Sequence, residues 1–395
     1  MKDALATPTI DLDALGFDRG AGLLLERALA GLSPGSRLEV ASRDPALTVD
    51  LAPWCRSRGH RVEGGNVVVK GDAAAHRWLG AARAGAPGPG GVVERPEPAW
   101  GLAARGALVE AGAKPSGFDL DDRDVVWADI APRLYAQAVA SQWDPATEVA
   151  WDAAEELPAE IEAAVVQVMT YLVENEQAAL VVPARFVGRV HPHFREVVQL
   201  LAVQVADEAR HVEVFARRAA LRGGPLGVST TGGRASLQTL LDEPDFSLAS
   251  FLLSVLGEGT FLNLLSFIET YAPDTVTRQV AHLALQDEAR HVAFGLAHLE
   301  HRVAVDPGLL DRLRLAIERR HDALASTAGL NQDVFDALVV LAAGTWTPDA
   351  IATGYERVQA LTADMDDGRR RRLARLGFPA DEAAELSALH TRNFM

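Results

Sequence analysis

Residues 207–211 read Asp-Glu-Ala-Arg-His, and the same five letters return at residues 287–291. An apolar segment with helical periodicity precedes each copy, Val197–Ala206 in the first case and Val280–Leu285 in the second. Residues three apart on a helix share a face, so each copy presents one carboxylate and one imidazole together. A single Glu-x-x-His pair is usually a solvated charge cluster, whereas two copies within apolar helices indicate a buried site.

The spacing around the first copy predicts a partner glutamate on the preceding helix. Glu176 precedes Pro192 by 16 residues and Glu208 follows it by 16, so an antiparallel hairpin that turns at the proline brings them level. Each arm would be roughly 24 Å long at about 1.5 Å per residue. Glu174 is the competing candidate, but its neighbours on the helix are polar, whereas those of Glu176 are apolar. The pattern therefore favours Glu176 as the inward residue.

The second copy has the same symmetry around Pro273, since Glu258 precedes this proline by 15 residues and Glu288 follows it by 15. Four carboxylates in an apolar core cannot all stay ionised without cations. Oxygen and imidazole ligands favour iron or manganese over thiolate-bound zinc. The sequence thus predicts two iron ions, with a Mn/Fe pair as the alternative. The expected metal ligands are Glu176, Glu208, His211, Glu258, Glu288 and His291.

The remaining letters of the repeat suit an outer layer around the metals. The aspartate lies one turn before the histidine of its own copy, and across the bundle it could accept the outer N–H of the opposite imidazole. The arginine could then pair with these aspartates. The alternative is that the charged pairs lie on the surface. The residues concerned are Asp207, Arg210, Asp287 and Arg290.

The six expected ligands resemble those of the ferritin-like di-iron oxidase and oxygenase superfamily, over about residues 157–305. The resemblance implies a four-helix bundle in which a reduced metal pair reacts with O2 as co-substrate and oxidises a small organic substrate. We expect Glu208 and Glu288 to bridge the metals and to be the catalytic carboxylates. No flavin or Fe–S motif is present, so a separate reductase, or the substrate itself, would have to supply electrons.

Departures from the superfamily pattern disfavour two of the activities found in it. Phe215 replaces the tyrosine that stores a radical in ribonucleotide reductase small subunits, and Gln204 and Ala284 replace the additional histidine of N-oxygenases. These two activities are therefore lesser alternatives. The alternative of a different class is a non-enzymatic protein that binds or senses iron, or recruits a partner. Gly257 and Gly259 flank Glu258, which close helix packing or a bulge in the helix would explain equally well.

The N-terminal segment reads as a small α/β unit. Strand-like runs at Thr7–Leu12, Arg37–Ala41 and Asn66–Lys70 alternate with helical patterns at Gly22–Leu32 and Ala46–Arg58. Over about residues 9–70 this resembles the TusA-like sulfur-carrier fold, although the Cys-Pro motif is missing. We therefore expect this domain to dock a partner, cover the bundle or mediate formation of a homodimer, and not to carry sulfur.

The chain is therefore predicted to be a multidomain α+β protein: a TusA-like α/β domain, a linker, a mainly α ferritin-like bundle and a helical extension. The expected boundaries are residues 1–72, 73–123, 124–305 and 306–395. A basic run at residues 368–372 in the extension follows acidic residues and is expected to be an ordinary solvated helix face.

Composition excludes several partners. The 395 residues carry a formal net charge of −16, which disfavours binding to nucleic acid or to an anionic membrane. One cysteine, Cys55, allows no intrachain disulfide, and the N-terminus lacks the pattern of a signal peptide. We expect a cytoplasmic protein without a transmembrane segment.

Overall fold

The computed structural model divides the chain into two compact units. The first comprises Met1–Pro87 and Ala103–Lys114, and the second comprises Gly88–Leu102 and Pro115–Met395. The structure describes residues 7–72, 78–153, 155–325 and 332–389. The segment predicted as a linker, residues 73–123, thus contributes to both units. Within the first unit, strands Ala82–Arg83 (β5) and Leu108–Val109 (β6) form an antiparallel pair.

The first unit is built on a four-stranded sheet of β1 (Thr9–Asp11), β2 (Arg37–Ala41), β3 (Arg61–Glu63) and β4 (Val67–Val69), in the order β1-β2-β4-β3. Strands β1 and β2 are parallel, and β4 is antiparallel to both of its neighbours. Apolar residues at helical spacing on both helices, such as Leu25 and Leu51, join the inward residues of the strands in one core. The resemblance to the sulfur-carrier fold stays a prediction. The two helices are α1 (Ala21–Ala30) and α2 (Leu47–Ser57).

The second unit is helical, and its described residues between 157 and 305 contain no strand, as the sequence predicted. Two short helices precede the bundle, α3 (Arg123–Val126) and α4 (Ala131–Ala140). The bundle and its extension comprise α5 (Ala159–Val187), α6 (Arg195–Ala219), α7 (Thr231–Leu241), α8 (Phe246–Ser250), α9 (Gly259–Tyr271), α10 (Thr275–Val305), α11 (Leu309–Ala325), α12 (Gln332–Ala343), α13 (Pro348–Leu376) and α14 (Ala380–Ala388).

Two helical hairpins form the centre of this unit. Helices α5 and α6 pack along their length and are joined through a turn at Pro192–Phe194. Helices α9 and α10 pack in the same way, and Asp274 caps α10 by accepting the backbone N–H of Thr277 at 2.8 Å. The turns lie where the sequence placed them, at the prolines 192 and 273.

The rod that leads into α9 is not a regular α-helix. Between α8 and α9, Phe251–Glu258 is a π-helix, hereafter the π segment. The backbone N–H of Gly259 donates to the carbonyl of Ser254, five residues earlier. A π-helix inside an α-helix is rare and energetically unfavourable unless its surroundings hold it. One of the two explanations of the flanking glycines, the bulge, is therefore present in the fold.

A buried ion-pair network holds one end of the bundle together. Arg218 on α6 is 1% exposed and donates two hydrogen bonds to Glu162 on α5, at 2.7 and 2.9 Å. The same guanidinium donates to Asp274 at 2.8 Å and to the hydroxyl of Thr277 at 2.8 Å. Because one arginine satisfies groups from both hairpins, it fixes how their ends pack.

One continuous segment, Phe246–Tyr271, is long and apolar enough to cross a bilayer. Most of it, 83% of the apolar window, is buried within the unit, and the core helix of a soluble protein passes the same test. Its apolar composition is explained by packing on all sides, since it runs through the core.

The basic run at residues 368–372 is divided between two environments, so the expectation of a uniformly solvated face was wrong. Arg370 and Arg371 are exposed and pair with Asp366 and Asp367, one turn earlier, at 2.6 and 2.8 Å. Arg369 is only 3% exposed, and Arg372, which shares its face, is partly buried. The inward face of α13 packs against α9 and the π segment, which the charge pattern alone could not reveal.

Candidate metal centre

All six residues predicted as metal ligands lie in the core of the second unit, and none is more than 3% exposed. Four elements supply them: Glu176 comes from α5, Glu208 and His211 from α6, Glu258 from the π segment, and Glu288 and His291 from α10. The competing candidate Glu174 is partly exposed. The hairpin geometry thus brings together side chains that are more than one hundred residues apart in the chain.

The six side chains form two overlapping groups of possible ligand atoms. Glu176 and His211 belong to one group and Glu258 and His291 to the other, while Glu208 and Glu288 belong to both. Within each group the ligand atoms lie within 4.8 Å of one another. Two carboxylates shared between two sets of ligands give the geometry that a pair of bridged metal ions requires.

Both imidazoles direct Nδ1 towards the carboxylates. Nδ1 of His211 lies 3.2 Å from oxygens of Glu208 and of Glu288 and 3.7 Å from Oε2 of Glu176. Nδ1 of His291 lies 2.9 Å from Oε1 of Glu208 and 3.4 Å from Oε2 of Glu288. The lone pair of each Nδ1 is therefore placed for a metal that the carboxylates share.

The outer nitrogen of each imidazole faces an aspartate of the opposite repeat. Nε2 of His211 lies 3.2 Å from Oδ2 of Asp287, and Nε2 of His291 lies 3.3 Å from Oδ2 of Asp207. This is the cross-pairing that the sequence suggested. Such a bond fixes the ring orientation and favours the tautomer in which Nδ1 is free to bind a metal.

The arginines of the repeat bind both aspartates. Arg210 pairs with Asp207 and reaches Asp287 at 3.2 Å, while Arg290 pairs with Asp287 and reaches Asp207 at 3.5 Å. The alternative of surface ion pairs is excluded, because both aspartates are no more than 1% exposed.

Two residues that the sequence analysis missed complete this outer layer. The indole N–H of Trp143 donates to Oδ2 of Asp287 at 2.8 Å, and the amide of Gln142 donates to Oδ1 of Asp207 at 3.1 Å. Both lie just after α4, outside the bundle helices, so no helical periodicity pointed to them. The hydrogen bonds hold the two aspartates ionised and oriented.

Glu258 has its own polar supports. The amide of Gln204 donates to Oε1 of Glu258 at 3.2 Å, and the hydroxyl of Ser254 also bonds to the carboxyl group. From the sequence, Gln204 indicated only that an additional histidine ligand is missing at this position. Its place one turn before Glu208, on the same face of α6, was the signal that it points into the site.

Burial and charge together set the protonation of the carboxylates. Burial, reinforced by neighbouring carboxylates, raises the pKa of Glu176 and of Glu258 well above the usual range. Burial acts in the same direction on Glu208, but the imidazoles of His291 and His211 outweigh it and lower the pKa of that carboxyl group. Burial also opposes ionisation of Asp287, yet the bonds to His211 and Trp143 lower its pKa.

For the imidazoles, burial and the neighbouring carboxylates shift the pKa in opposite directions. Burial alone would lower the pKa of His211, but Asp287, Glu176 and Glu208 raise it well above the usual range. Glu208 and Glu288 do the same for the pKa of His291, again against the effect of burial. The metal-free cluster therefore holds protons at positions where metal ions would place positive charge.

The fit of metal ions to this cluster rests on polar atoms that have no hydrogen-bond partner among the described residues. These atoms include one oxygen each of Glu176, Glu208 and Glu258, both oxygens of Glu288 and Nδ1 of His291. Nδ1 of His291 and Oε1 of Glu208 are 2.9 Å apart but do not have the geometry of a hydrogen bond. Buried polar atoms without partners are costly, and these six lie together in one cluster. Metal ions would satisfy them together.

Histidines elsewhere in the unit have other partners and are separate from this cluster. Nδ1 of His298 donates to the carbonyl of Trp127 at 3.1 Å, and Nε2 lies 3.1 Å from the hydroxyl of Ser247. His282 contacts Glu269 at 2.9 Å. Phe215, where a radical-storing tyrosine would stand, packs its ring 6.3 Å from that of His211 and is fully buried.

Comparisons with known proteins find likeness only among solved structures. No family model matches the sequence, and no curated protein matches it. Similar structures include variants of an R2-like ligand-binding oxidase, one with a Mn/Fe cofactor and one with an Fe/Fe cofactor, both aerobically reconstituted. Each is 19% identical with a TM-score of 0.48, and the match covers 62% of this chain and 92% of that chain. These values are too low to support an argument.

The assignment therefore rests on the side chains of this chain. Two antiparallel helical hairpins place four carboxylates and two imidazoles in one buried cluster, which is the arrangement of ferritin-like bundles. This cluster can hold a pair of metal ions, Fe/Fe or Mn/Fe.

Proposed function

We propose that the protein is an O2-activating non-haem oxidoreductase with a two-metal centre, acting on a small organic substrate. One observation carries the proposal: Glu208 and Glu288 belong to both groups of ligand atoms, so they can bridge two metal ions between Glu176 with His211 and Glu258 with His291. A mononuclear site would not need two shared carboxylates.

A reduced metal pair held here would supply the electrons and open coordination positions that O2 activation requires. The terminal ligands differ in how they are held. Glu176 lies on a regular helix, whereas Glu258 lies on the π segment and accepts a hydrogen bond from Gln204. Glu258 is therefore the ligand whose position depends most on residues outside the repeat.

Apolar side chains keep water from the cluster. Leu172, Phe215 and Ala284, each one turn from a ligand on the same helix, are buried and apolar. Exclusion of water strengthens each electrostatic interaction within the site and limits side reactions. These residues favour a substrate that is itself largely apolar.

The outer layer of aspartates supplies fixed negative charge beside the imidazoles. Asp207 and Asp287 accept bonds from His291 and His211, which keeps each Nδ1 free to bind a metal. Electrons for turnover would come from a separate reductase or from the substrate. A cytoplasmic location, where reductases and reduced cofactors are available, suits this proposal.

The experiment is O2 consumption by protein loaded with Fe(II) under anaerobic conditions. Rapid mixing with O2 should consume O2 in proportion to the two-metal centre and give a transient visible absorption band. Glu208→Gln, which removes a shared carboxylate while keeping its shape, should abolish both. The matched control is Glu174→Gln, a partly exposed glutamate on α5, which should leave both unchanged.

The outcome separates the enzyme from its alternatives. Two bound metals without O2 consumption would contradict the proposal and favour a protein that binds or senses iron. A persistent tyrosyl radical would instead favour activity like that of a reductase small subunit, against the evidence of Phe215.

A further inference from the structure

The π segment that supplies Glu258 has one backbone carbonyl at a break in its hydrogen-bond pattern. The backbone N–H of Gly259 donates to the carbonyl of Ser254, which is the last bond of the π pattern, because the π segment ends at Glu258. Helix α9 then continues with bonds four residues apart. At such a junction one carbonyl loses its helical donor, and here that carbonyl belongs to Val255.

A side chain from the C-terminal extension satisfies this carbonyl. Nε of Arg372, on α13, donates to the carbonyl oxygen of Val255 at 2.7 Å. Nη2 of the same guanidinium lies 3.5 Å from the hydroxyl of Thr260, which in turn donates to the carbonyl of Leu256 at 2.7 Å. Arg372 therefore bonds to residues on both sides of Glu258, three residues before it and two after it.

Gly259 provides the space for this guanidinium. A Cβ atom at position 259 would lie 2.4 Å from Nε and 2.6 Å from Cζ of Arg372. Any other residue there would push the guanidinium away from Val255. The second explanation of the flanking glycines, close packing, thus also holds, and its partner is an arginine more than one hundred residues later.

The charge of Arg372 is costly at this position. Its neighbours Arg370 and Arg371 have aspartates one turn away, whereas Arg372 donates to neutral oxygens of Val255 and Thr260. Burial, together with the charges of Arg369 and Arg371, lowers the pKa of Arg372 to about 10. A partly buried cation with neutral acceptors indicates that its hydrogen bonds serve a purpose that an apolar residue could not serve.

We infer that Arg372 is a positioning residue for the metal centre: it holds the π segment in register and so fixes where Glu258 meets the second metal. The inference rests on the proposed function for its purpose, although the contact itself does not. It assigns a role to the C-terminal helices, which the ligand pattern of the repeat leaves without one.

The first arm of the test uses amide hydrogen exchange on metal-free, full-length protein to measure whether Arg372 holds the π segment, hereafter the clamp. Arg372→Gln should raise exchange at residues 254–260 about tenfold, because the segment opens locally more often once the carbonyl of Val255 loses its donor. Arg371→Gln is the matched control, since this exposed neighbour in the same run pairs with Asp367. Equal exchange in both variants would overturn the clamp.

The second arm measures the consequence for the metals with Co(II) as the spectroscopic probe. In Arg372→Gln the affinity for one of two Co(II) ions should fall about tenfold and its ligand-field bands should shift, as for other residues that orient ligands. The second ion should be unaffected. Arg372→Lys, which keeps one cationic donor, should fall between the wild type and Arg372→Gln. Raised exchange with unchanged Co(II) binding and spectrum would overturn the positioning role.

A variant on the other side of the contact separates positioning from general destabilisation. Gly259→Ala should reproduce the Co(II) effect of Arg372→Gln, although alanine has the higher helix propensity and would stabilise an unconstrained helix. Combining the two changes should add little, because both break the same contact. Additive effects would contradict the inference.

The two proposals can fail separately. If the wild type binds two Co(II) ions and the iron-loaded protein consumes no O2, the proposed function fails and the positioning role stands. If the wild type binds no Co(II), the metal centre and the positioning role fail together, and hydrogen exchange still decides whether Arg372 clamps the π segment.

Discussion

The two hairpins of the bundle carry the same repeat but hold the glutamate that lies outside the repeat differently. In the first, Glu176 stands on the regular helix α5, and in the second, Glu258 stands on the π segment. Both carboxyl groups are buried and both have raised pKa values, so their chemistry is alike. The difference teaches that a symmetric ligand pattern can rest on an asymmetric backbone, in which one ligand is fixed by its helix and the other by contacts from elsewhere.

The largest effect on metal content should come from the carboxylates that belong to both groups of ligand atoms. Glu208→Gln or Glu288→Gln should reduce metal content from about two ions per chain to nearly none, because each carboxylate belongs to both groups of ligand atoms. Elemental analysis of protein made with excess iron measures this directly. Loss of a single ion would mean that the shared carboxylates do not bridge.

The next largest effect on metal content should distinguish the two halves of the cluster, that is, the two groups of ligand atoms. Glu176→Gln should remove the metal on the His211 side, and Glu258→Gln the metal on the His291 side, so each variant should retain about one ion. Co(II) spectra of the two variants should differ, since each retains a different site. Identical spectra would contradict the division into halves.

A smaller effect is expected from the outer layer. Asp287→Asn and Asp207→Asn should each weaken metal affinity about 10–100-fold, because the imidazole that each aspartate orients loses its negatively charged acceptor. Asp287 also accepts the indole N–H of Trp143, so Trp143→Phe should weaken affinity in the same direction but less. Competition titration with a chelator of known affinity gives the values, and unchanged affinity in Asp287→Asn would exclude the cross-pairing.

The smallest effect should be a pH dependence that metal binding removes. In metal-free protein the pKa values of Glu176, Glu258, His211 and His291 are raised, so their contribution to stability is complete below the unfolded pKa values and is lost as pH rises through the folded ones. The melting temperature of metal-free protein should therefore fall relative to metal-loaded protein as pH rises above 4.5, the ordinary pKa of the glutamates, and further above 6.5, that of the histidines. Calorimetry of both forms checks this, and parallel curves would contradict it.

Much of the helical unit could be predicted, because periodicity and spacing are local properties that survive in a folded hairpin. Counting from Pro192 and Pro273 placed the glutamates level, and the apolar neighbours of Glu176 separated it from Glu174. The turn positions and the four-helix arrangement follow from the same count.

The remaining parts depend on contacts between distant segments. The sequence around Trp143 does not predict that its indole donates a hydrogen bond to Asp287, because this segment is not helical and has no periodicity that indicates an inward face. The sequence predicted the π segment only as a possible bulge, one of two explanations of Gly257 and Gly259. Its stability depends on Arg372 and not on local propensity. For the same reason the basic run was assigned wholly to solvent: alternate faces of α13 meet different neighbours, and only packing distinguishes them.

The most direct test of the two-metal centre is anomalous diffraction at the iron edge from crystals of the iron-loaded protein. The account predicts two peaks about 3.5–4 Å apart, between the carboxylates of Glu208 and Glu288, each with one imidazole Nδ1 as a ligand. A single peak, or peaks that Glu258 and His291 do not reach, would contradict it.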